Sequence, residues 1–442
     1  MTEYIAGRAQ MGMSLGFHIV FASLGVGLPL LLLVVEGMGL RTGDPEWRLL
    51  ARRWSKAFGI LFAVGAVSGT VLSFELGLLW PGFMGYAGGI IGLPFSMEGF
   101  AFFIEAIFLG LYLYGWERLS ARAHWLCTIP LVLSGAASAW FVVTANAWMN
   151  SPSGFRLDHG RVTDVHPLQA IFNPGTPIET VHTMISAYLA TGFAVAAVYA
   201  VGLLRGRVGG VYRKGLLVGM ILGSICAPLQ VITGDINARW VADNQPAKLA
   251  AMEGEFKTEA GAPLRIGGLP DLAGHVTRYA IEIPGGLSFL AYGNTNATVR
   301  GLDSFTPGST PDPRPVHLAF DFMVGIGFAL LGLAGWFFAL LWRRRQVPEQ
   351  RLLLKAVAVS GFLSFAAIEM GWMVTEIGRQ PWIIYGVVRT AAAITPAPGL
   401  VVSFWVSAGI YVALAVACGV LLLRLADATR AGRESEVEEE SV

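Results

Sequence analysis

Nine long apolar stretches constrain the fold of this sequence more than any other feature. A helix needs about 20 mostly apolar residues to cross the roughly 30 Å hydrocarbon core of a bilayer. Stretches of this kind lie at 11–35, 57–80, 92–116, 125–149, 180–204, 215–234, 316–342, 352–374 and 398–424. The sequence therefore predicts an all-α integral membrane protein with about nine transmembrane helices. The first stretch is too long for a signal-peptide core, so we expect it to remain as a helix.

The composition excludes several other classes of protein. Of the 442 residues, 54% are hydrophobic and only 14% are charged, whereas soluble domains carry about a quarter charged residues. The net charge of +1 provides no basic surface, and we expect no nucleic-acid partner. The cysteines Cys127, Cys226 and Cys418 each lie in an apolar stretch and are expected to be buried thiols.

The distribution of Lys and Arg predicts the orientation of the helices. Short loops on the cytoplasmic side of a membrane are enriched in these residues. The loops after the first, third, fifth and seventh predicted helices carry 16 Lys and Arg, and those after the second, fourth and eighth carry 4. This difference predicts an N-terminus outside and a C-terminus in the cytoplasm.

Four regions follow from these boundaries. Residues 1–234 hold the first six helices, and residues 316–426 hold the last three. Between them, residues 235–315 form a polar outer segment rich in Pro and Gly, and a connection this long is usually functional or disordered. The acidic tail at 427–442 lacks aromatic residues and is expected to be disordered.

Eight ionisable side chains lie within the predicted helices. A charge near the bilayer centre costs at least about 2.5–3.5 kcal/mol, so we expect each of these residues to have a structural or functional role. They are His18, Glu75, Glu98, Glu105, His182, Asp321, Glu369 and Glu376. In the predicted orientation all except Glu105 lie near outer helix ends, and this common depth indicates a site that handles electrons or ions near the outer face.

Histidine and methionine are axial ligands of haem iron, and both occur in this layer. His18 and His182 have apolar helical settings that suit a buried porphyrin, and Met323 lies at a depth that matches His182. A lone membrane histidine is about as often a hydrogen-bonding residue as a ligand, and His317 is a rival ligand. Spacing alone favours haem only modestly over ion transport.

Carboxylates provide two further candidates. Glu98 and Glu105 are seven residues apart, which puts both on one helix face about 10 Å apart. This favours proton transfer beside a cofactor, with hydrogen bonds to a neighbouring helix as the alternative. In the segment GWMVTEIGRQPW at 371–382, Glu376 is a candidate iron ligand and Arg379 a candidate partner of a haem propionate. An interfacial anchor is the alternative for this segment.

Six motifs resemble those of subunit I of the cytochrome bd-type quinol oxidases, over essentially the whole chain. They are GRAQ followed by GFHIVF around His18, LPFSMEGFAFFIEAIFLGLYLYGWERL around Glu98 and Glu105, ANAWMNSPSGF at 145–155, VHTMISAY around His182, KLAAMEGEF at 248–256 and GWMVTEIGRQPW. The second and last motifs are highly specific together. Nine helices, an outer N-terminus and a large outer loop between the sixth and seventh helices are also typical of the family.

The resemblance implies a set of haem ligands. It implies that His18 is the axial ligand of one high-spin haem and Glu376 that of the other. Glu98 would lie beside these haems as ligand or distal carboxylate. His182 and Met323 would be the ligands of a low-spin haem b. The implied cofactors are this haem b, a high-spin haem b, and either haem d or a second high-spin haem b.

The resemblance also implies other roles. Glu105 would lie in a proton path, and Lys248 and Glu253 match positions implicated in quinol oxidation. The haem pair and its propionates would be surrounded by Trp372, Arg379 and Arg8. The implied partners are a second polytopic subunit, in some members a small single-helix subunit, membrane lipid, dioxygen, and ubiquinol or menaquinol. The implied location is the bacterial cytoplasmic (inner) membrane, as a multi-pass protein.

The sequence departs from the family pattern in two places. Asp321 stands where an arginine is expected before Met323, which affects the surroundings of the low-spin haem. The outer loop is at the short end of the family's range, so we expect quinol binding to be supported differently.

Three hypotheses for the function follow. The first is a quinol:dioxygen oxidoreductase that oxidises quinol at the outer face, reduces dioxygen to water and generates a proton motive force by charge separation. The second is a haem-b electron conduit without oxygen chemistry. The third is a secondary ion transporter that uses the carboxylates.

Overall fold

Long helices account for most of the computed structural model, which describes the backbone of residues 1–439 and the side chains of residues 1–427. The helices are α1 Glu3–Thr42, α2 Pro45–Leu79, α3 Pro81–Tyr114, α4 Ala121–Leu126, α5 Thr128–Asn150, α6 Pro167–Ile171, α7 Thr176–Leu204, α8 Gly210–Asn244, α9 Pro246–Met252, α10 Gly286–Tyr292, α11 Pro313–Arg344, α12 Arg351–Ile377, α13 Thr390–Ala393 and α14 Leu400–Glu439. A short 3-10 helix lies at Leu302–Ser304.

Within the described residues, nine spans are long and apolar enough to cross a membrane. They are α1, α2, α3, α4 together with α5, α7, α8, α11, α12, and α14 as far as Asp427. The predicted all-α architecture with nine transmembrane helices is therefore confirmed. The tail at 427–442, apart from its first residue, lies outside the described side chains, and its expected disorder stays a prediction.

Several helices begin well before their apolar stretches. Helix α1 starts at Glu3 because the Thr2 hydroxyl accepts a hydrogen bond from the Ile5 amide and caps the first turn. Helix α3 starts at Pro81, where proline suits the first helical position. His18 and Glu98 consequently lie about 22 Å and about 25 Å from the starts of α1 and α3, deeper than the predicted position near outer helix ends.

The loops carry short antiparallel pairs of strands. These are β1 Arg156–Asp158 with β2 Arg161–Thr163, β3 Glu259–Ala260 with β8 Thr298–Val299, β4 Leu264–Ile266 with β7 Ile281–Ile283, β5 Leu269–Asp271 with β6 Val276–Arg278, and β9 Trp382–Ile384 with β10 Val388–Arg389. Six of these strands lie in the segment 235–315, together with α9, α10 and the end of α8. This segment is therefore a folded cap on the bundle.

Helix α7 is the central helix of the bundle and packs against α1, α5, α8 and α12. Its contact with α8 is made by glycines: a Cβ added at Gly192 would lie 2.9 Å from the Gly219 carbonyl oxygen, and one added at Gly219 would lie 2.7 Å from the Gly192 carbonyl oxygen. Small residues let membrane helices approach closely where packing drives their association. Since α7 carries His182, this contact positions a candidate ligand.

The amino terminus and the segment 235–315 lie on one side of the bundle, called here the loop face. Six spans lie between the start of α1 and the start of α11, and since each span reverses the direction of the chain, both helices start on this side. On this side, the Val401 amide donates to the Glu3 carboxylate over 3.1 Å, and the Thr395 amide donates to the Leu79 carbonyl over 2.8 Å. That the loop face is the extracytoplasmic one stays a prediction from the Lys and Arg distribution.

Candidate functional site

Asn150, at the end of α5, is the centre of a buried polar cluster under the loop face. Its side-chain amide donates to both oxygens of Glu179 over 3.2 Å. Its side-chain oxygen accepts from Lys248 Nζ over 3.0 Å and from Arg379 Nη1 over 3.3 Å. Lys248 and Arg379 are only 4% and 1% exposed. One asparagine thus joins α5, α7, the loop helix α9 and the end of α12.

Glu376 extends this cluster toward the membrane interior. One of its carboxylate oxygens accepts from the Asn146 side-chain amide over 2.5 Å, and the other accepts from Arg379 Nη2 over 2.6 Å. Each oxygen of a carboxylate has two lone pairs. A lone pair on each oxygen therefore remains for an iron ligand bond, as the prediction for Glu376 requires.

Burial alters the charge properties of the two predicted quinol residues. Burial lowers the pKa of the Lys248 ammonium, and the adjacent Glu179 carboxylate partly opposes this effect. Burial raises the pKa of Glu253 to about 8, and the negative charges of Asp321 and Glu255 add to the shift. Glu253 thus changes its protonation state near neutral pH, as a proton acceptor does.

The hydrogen bonds of His18 leave one ring nitrogen available for a metal. The Ser68 hydroxyl donates to the Gly65 carbonyl oxygen over 3.0 Å, so it accepts from His18 Nδ1, which lies 3.0 Å away. Nδ1 therefore carries the proton, and Nε2 has a free lone pair, as an axial ligand requires. A Cβ at Gly69 would lie 2.9 Å from His18 Cε1, so glycine leaves room for the ring.

His182 is held in the same way on α7. Thr233 donates its hydroxyl proton to the Leu229 carbonyl oxygen over 2.9 Å and accepts from His182 Nδ1, which lies 3.1 Å away. The lone pair of His182 Nε2 accepts from the Gln230 amide nitrogen over 3.0 Å. Gln230 Oε1 is buried without a hydrogen-bond partner. An iron at Nε2 would take the place of the Gln230 amide.

Met323 and His317, both on α11, have different environments. A Cβ at Gly371 of α12 would lie 3.1 Å from Met323 Sδ, so the thioether lies against that glycine. Helices α11 and α7 both pack against α8 and α12, and Met323 and His182 thus border the same group of helices. Both ring nitrogens of His317 contact backbone carbonyl oxygens, those of Met252 and Gly267. The choice of His317 as a rival ligand stays a prediction.

Glu98 and Glu105 share one face of α3, as their spacing predicts. Glu98 accepts from the Ser138 hydroxyl of α5 over 3.2 Å. Glu105 is 5% exposed and lies where glycines of α1 and α5 give it space, since a Cβ at Gly135 would lie 3.5 Å from its Oε1 and one at Gly25 would lie 3.9 Å away. Its Oε1 has no hydrogen-bond partner.

The two remaining predicted residues differ in position. Trp372 packs against a small apolar cluster of Ile19, Ala190 and Ile368, and this cluster includes the residue that follows His18. Arg8 is partly buried near the start of α1, with its guanidinium 5.4 Å from the Tyr4 ring centroid. Trp372 thus belongs to the packing between α1, α7 and α12, whereas Arg8 contacts an aromatic ring of its own helix.

Buried polar atoms without partners concentrate around these residues. In the described part of the chain they include Gln10 Oε1, Ser14 Oγ, Glu75 Oε2, Gln230 Oε1, Glu369 Oε1 and Arg379 Nε. Such atoms are rare in native proteins and indicate a group that completes them. Among the described residues no three His, Cys, Asp or Glu side chains converge as a metal cluster. Single histidine and carboxylate ligands fit haem iron, and the unpaired Arg379 Nε can donate to a propionate, which accepts hydrogen bonds.

Sequence reasoning missed two sets of residues. Asn146, Asn150 and Glu179 stand in or near the quoted motif ANAWMNSPSGF and at the start of α7, but amides and a helix-end carboxylate carried no signal by themselves. Toward the opposite face, the Glu36 carboxylate lies 2.6 Å from His124 Nδ1 and accepts from the Tyr112 hydroxyl over 2.6 Å. Tyr112 follows Glu105 by seven residues, and this continued spacing was the available signal.

Comparisons with known proteins agree with this arrangement. The family model of cytochrome bd terminal oxidase subunit I matches residues 6–430. The chain is 37% identical over 429 residues to a putative cytochrome bd menaquinol oxidase subunit I of Bacillus subtilis, with 96% of each chain covered. It is 30% identical to cytochrome bd-II ubiquinol oxidase subunit 1 of Escherichia coli, with 87% of this chain and 88% of the relative covered.

A solved structure gives the same result. The bd oxidase from Geobacillus thermodenitrificans matches with a TM-score of 0.90 and 36% identity, over 96% of this chain and 98% of that one. The chain therefore belongs to the cytochrome bd terminal oxidase subunit I family, whose members are multi-pass proteins of the bacterial cytoplasmic membrane.

Proposed function

We propose that this chain is the haem-carrying catalytic subunit of a respiratory quinol:dioxygen oxidoreductase. The observation that carries this proposal is the buried cluster around Asn150. It connects Lys248 of the folded cap to Glu376 and Arg379 at the end of α12 through hydrogen bonds of about 3 Å. A quinol site in the cap and a redox site in the bundle would therefore be in direct contact.

Quinol oxidation releases two protons with two electrons, and the cap supplies groups suited to these protons. Glu253 is 5% exposed, and its pKa of about 8 allows it to take a proton at neutral pH and to release it. Lys248 would donate a hydrogen bond to a quinol oxygen from the other side. In the predicted orientation the released protons leave on the extracytoplasmic side.

The haem ligands would come from five helices of the bundle, α1, α3, α7, α11 and α12. His18 and Glu376 would hold the high-spin pair, with Glu98 beside them, and His182 and Met323 would hold the low-spin haem b. The bound haems would supply the one-electron steps and an open axial position for dioxygen. Arg379, whose Nε has no partner, would pair with a propionate by its planar fork, and Trp372 would shield the His18 side. The same ligand residues would suit either haem d or a second high-spin haem b in this pair.

The protons for water would come from the opposite face. Glu98 and Glu105 mark a line along α3 that continues to Tyr112, whose hydroxyl donates to Glu36, and Glu36 in turn contacts His124. Consecutive members of this line are two helical turns apart along α3, about 10 Å, so bound water would have to bridge them. The protons consumed in forming water would thus come from the cytoplasm, whereas the quinol protons are released outside, and this separates charge without a pumping step.

The substrate and the partner chains follow from the family. One relative is named a menaquinol oxidase and another a ubiquinol oxidase, and we propose that one of these quinols is the substrate. Subunit I of a bd oxidase would act with a second polytopic subunit, and in some members with a small single-helix subunit. The outer segment 235–315 is expected to form the quinol site. Because this segment is short, quinol binding would be supported differently than in members with a longer loop.

Oxygen consumption by the purified complex tests this function. With ubiquinol or menaquinol as reductant, we expect oxygen uptake that stops when quinol is exhausted, at two quinols per dioxygen. A Lys248→Met variant should lose most of this activity and keep its haems. A haem-replete complex that consumes no oxygen with either quinol would contradict the proposal.

A further inference from the structure

His317 has a hydrogen-bonding environment that determines its charge. The residue lies in the second turn of α11 and is 0% exposed. Its Nδ1 lies 2.7 Å from the Met252 carbonyl oxygen, and its Nε2 lies 3.2 Å from the Gly267 carbonyl oxygen. A backbone carbonyl oxygen accepts hydrogen bonds and cannot donate them.

Both ring nitrogens must therefore carry a proton. A neutral imidazole has one N–H and would direct a bare lone pair at one of the two carbonyl oxygens, inside the protein where an unmade hydrogen bond is costly. The imidazolium form donates to both. Hydrogen bonds from a charged donor are also stronger than those from a neutral one.

Asp321 supplies the compensating charge. Its Oδ2 lies 3.3 Å from His317 Nε2, one helical turn further along α11. His317 Nε2 thus faces two oxygens, the Gly267 carbonyl at 3.2 Å and the Asp321 carboxylate at 3.3 Å. The geometry agrees with an imidazolium beside a carboxylate. A buried charge needs such a partner.

The two hydrogen bonds of His317 fix two separate points of the folded cap. Met252 immediately precedes Glu253, and Gly267 lies in the turn between β4 and β5. Thr277 ties the same region together by donating to the Gly254 carbonyl oxygen over 2.8 Å. Met323 follows His317 by six residues, about 9 Å along α11. One ring thus connects the segment of Glu253 to the helix of the predicted low-spin haem ligand.

We propose that His317 is a buried imidazolium that positions the Glu253 segment of the cap on α11, about 9 Å from Met323 along the helix axis. Asp321, one turn further along α11, is the counter-ion of this imidazolium. His317 is a positioning residue in this account. The reference to quinol chemistry rests on the proposed function, whereas the charge state and the anchoring do not.

The charge state is tested by nitrogen NMR on the purified complex with ¹⁵N-labelled histidine. The His317 signal is assigned by its loss in His317→Gln and His317→Asn, each of which retains one of the two donors. We expect both ring nitrogens of His317 to be protonated at neutral pH. A spectrum with one protonated and one bare nitrogen would overturn the proposal.

The anchoring is tested by hydrogen–deuterium exchange of the same complexes. Loss of one of two donors should accelerate exchange of the amides at 252–268 about tenfold and raise the KM for quinol more than it lowers kcat. His275→Asn is the matched control, because His275 is exposed in the same cap, and exchange at 252–268 should stay unchanged. Unchanged exchange in the His317 variants would refute the anchoring.

Failure of the proposed function and failure of this inference give different experimental results. If the complex oxidises no quinol but His317 is doubly protonated and its variants loosen the cap, the function fails and this inference stands. If neither variant assembles, the wild-type exchange decides: the amides at 252–268 must then exchange among the slowest of the cap, and fast exchange there overturns the anchoring.

Discussion

Glu253 illustrates how burial determines the chemistry of a single residue. Its pKa of about 8 lies above the ordinary value of 4.5 because burial disfavours the carboxylate. The ionised form, which accepts a proton, therefore increases as the pH rises toward 8. Its contribution to stability has the opposite sign: it is full below pH 4.5 and is lost as the pH rises through about 8.

We predict that Glu253→Gln removes the pH dependence that this group gives to quinol oxidation. In the wild type, kcat/KM should rise with pH up to about 8, because only the carboxylate can take the proton. The variant should be slower by a factor on the order of 10² to 10⁴. Steady-state oxygen uptake at several pH values measures this. Glu259→Gln, which alters a more exposed carboxylate in the same cap, should keep the wild-type profile.

Asn150 is the residue on which the site's buried charges depend. Asn150→Ala would leave Glu179, Lys248 and Arg379 each without one hydrogen-bond partner. We expect a loss of about 1–3 kcal/mol in stability for each group left unpaired, together with loss of quinol oxidation. Thermal unfolding of the complex is the measurement. Asn296→Ala at an exposed loop position is the control, and an equal effect there would refute the role of Asn150.

At the level of single residues, the sequence predicted the groups that are costly in a membrane and missed most of their hydrogen-bond partners. His18 and Glu105 stand out because a polar group within an apolar stretch is expensive. Asn150 does not, since an amide near a helix end has many ordinary explanations. Its importance arises from four elements that meet in space, and no spacing along the chain encodes that meeting.

Among the elements, the α7–α8 contact is the one that most directly positions a candidate ligand. The glycines Gly192, Gly219 and Gly223 bring the two backbones together, and the same contact sets His182 beside Thr233 and Gln230. Helix length was harder to predict than helix number. Apolarity reports the part of a helix in the membrane, whereas the true ends depend on caps such as Thr2 and Pro81.

We predict that Gly192→Ala separates α7 from α8 and disturbs the low-spin site. The added methyl would meet backbone atoms of Gly219 and Gly223, and backbone cannot move aside as a side chain can. We expect a loss of a few kcal/mol in stability and a weaker low-spin haem band. Gly332→Ala on α11 is the control, because nothing lies within 4 Å of the added carbon. Equal behaviour of the two variants would contradict this role of the glycines.

For the whole molecule, the central prediction is its orientation. The structure brings the amino terminus and the cap to one face, but only the Lys and Arg distribution says which compartment that face meets. Thr306→Cys lies in the cap and Val208→Cys in the exposed turn between α7 and α8. In intact cells, a membrane-impermeant thiol reagent should label the first variant and spare the second. Labelling of Val208→Cys instead would invert the topology and the proposed direction of proton release.

The reduced-minus-oxidised visible spectrum of the purified complex tests the central claim most directly. We predict bands of a low-spin haem b together with high-spin haem, and a further band in the far red if haem d is present. His182→Ala should remove the low-spin band and leave the others. Absence of haem bands from the wild-type complex, or a low-spin band that persists in His182→Ala, would contradict the account.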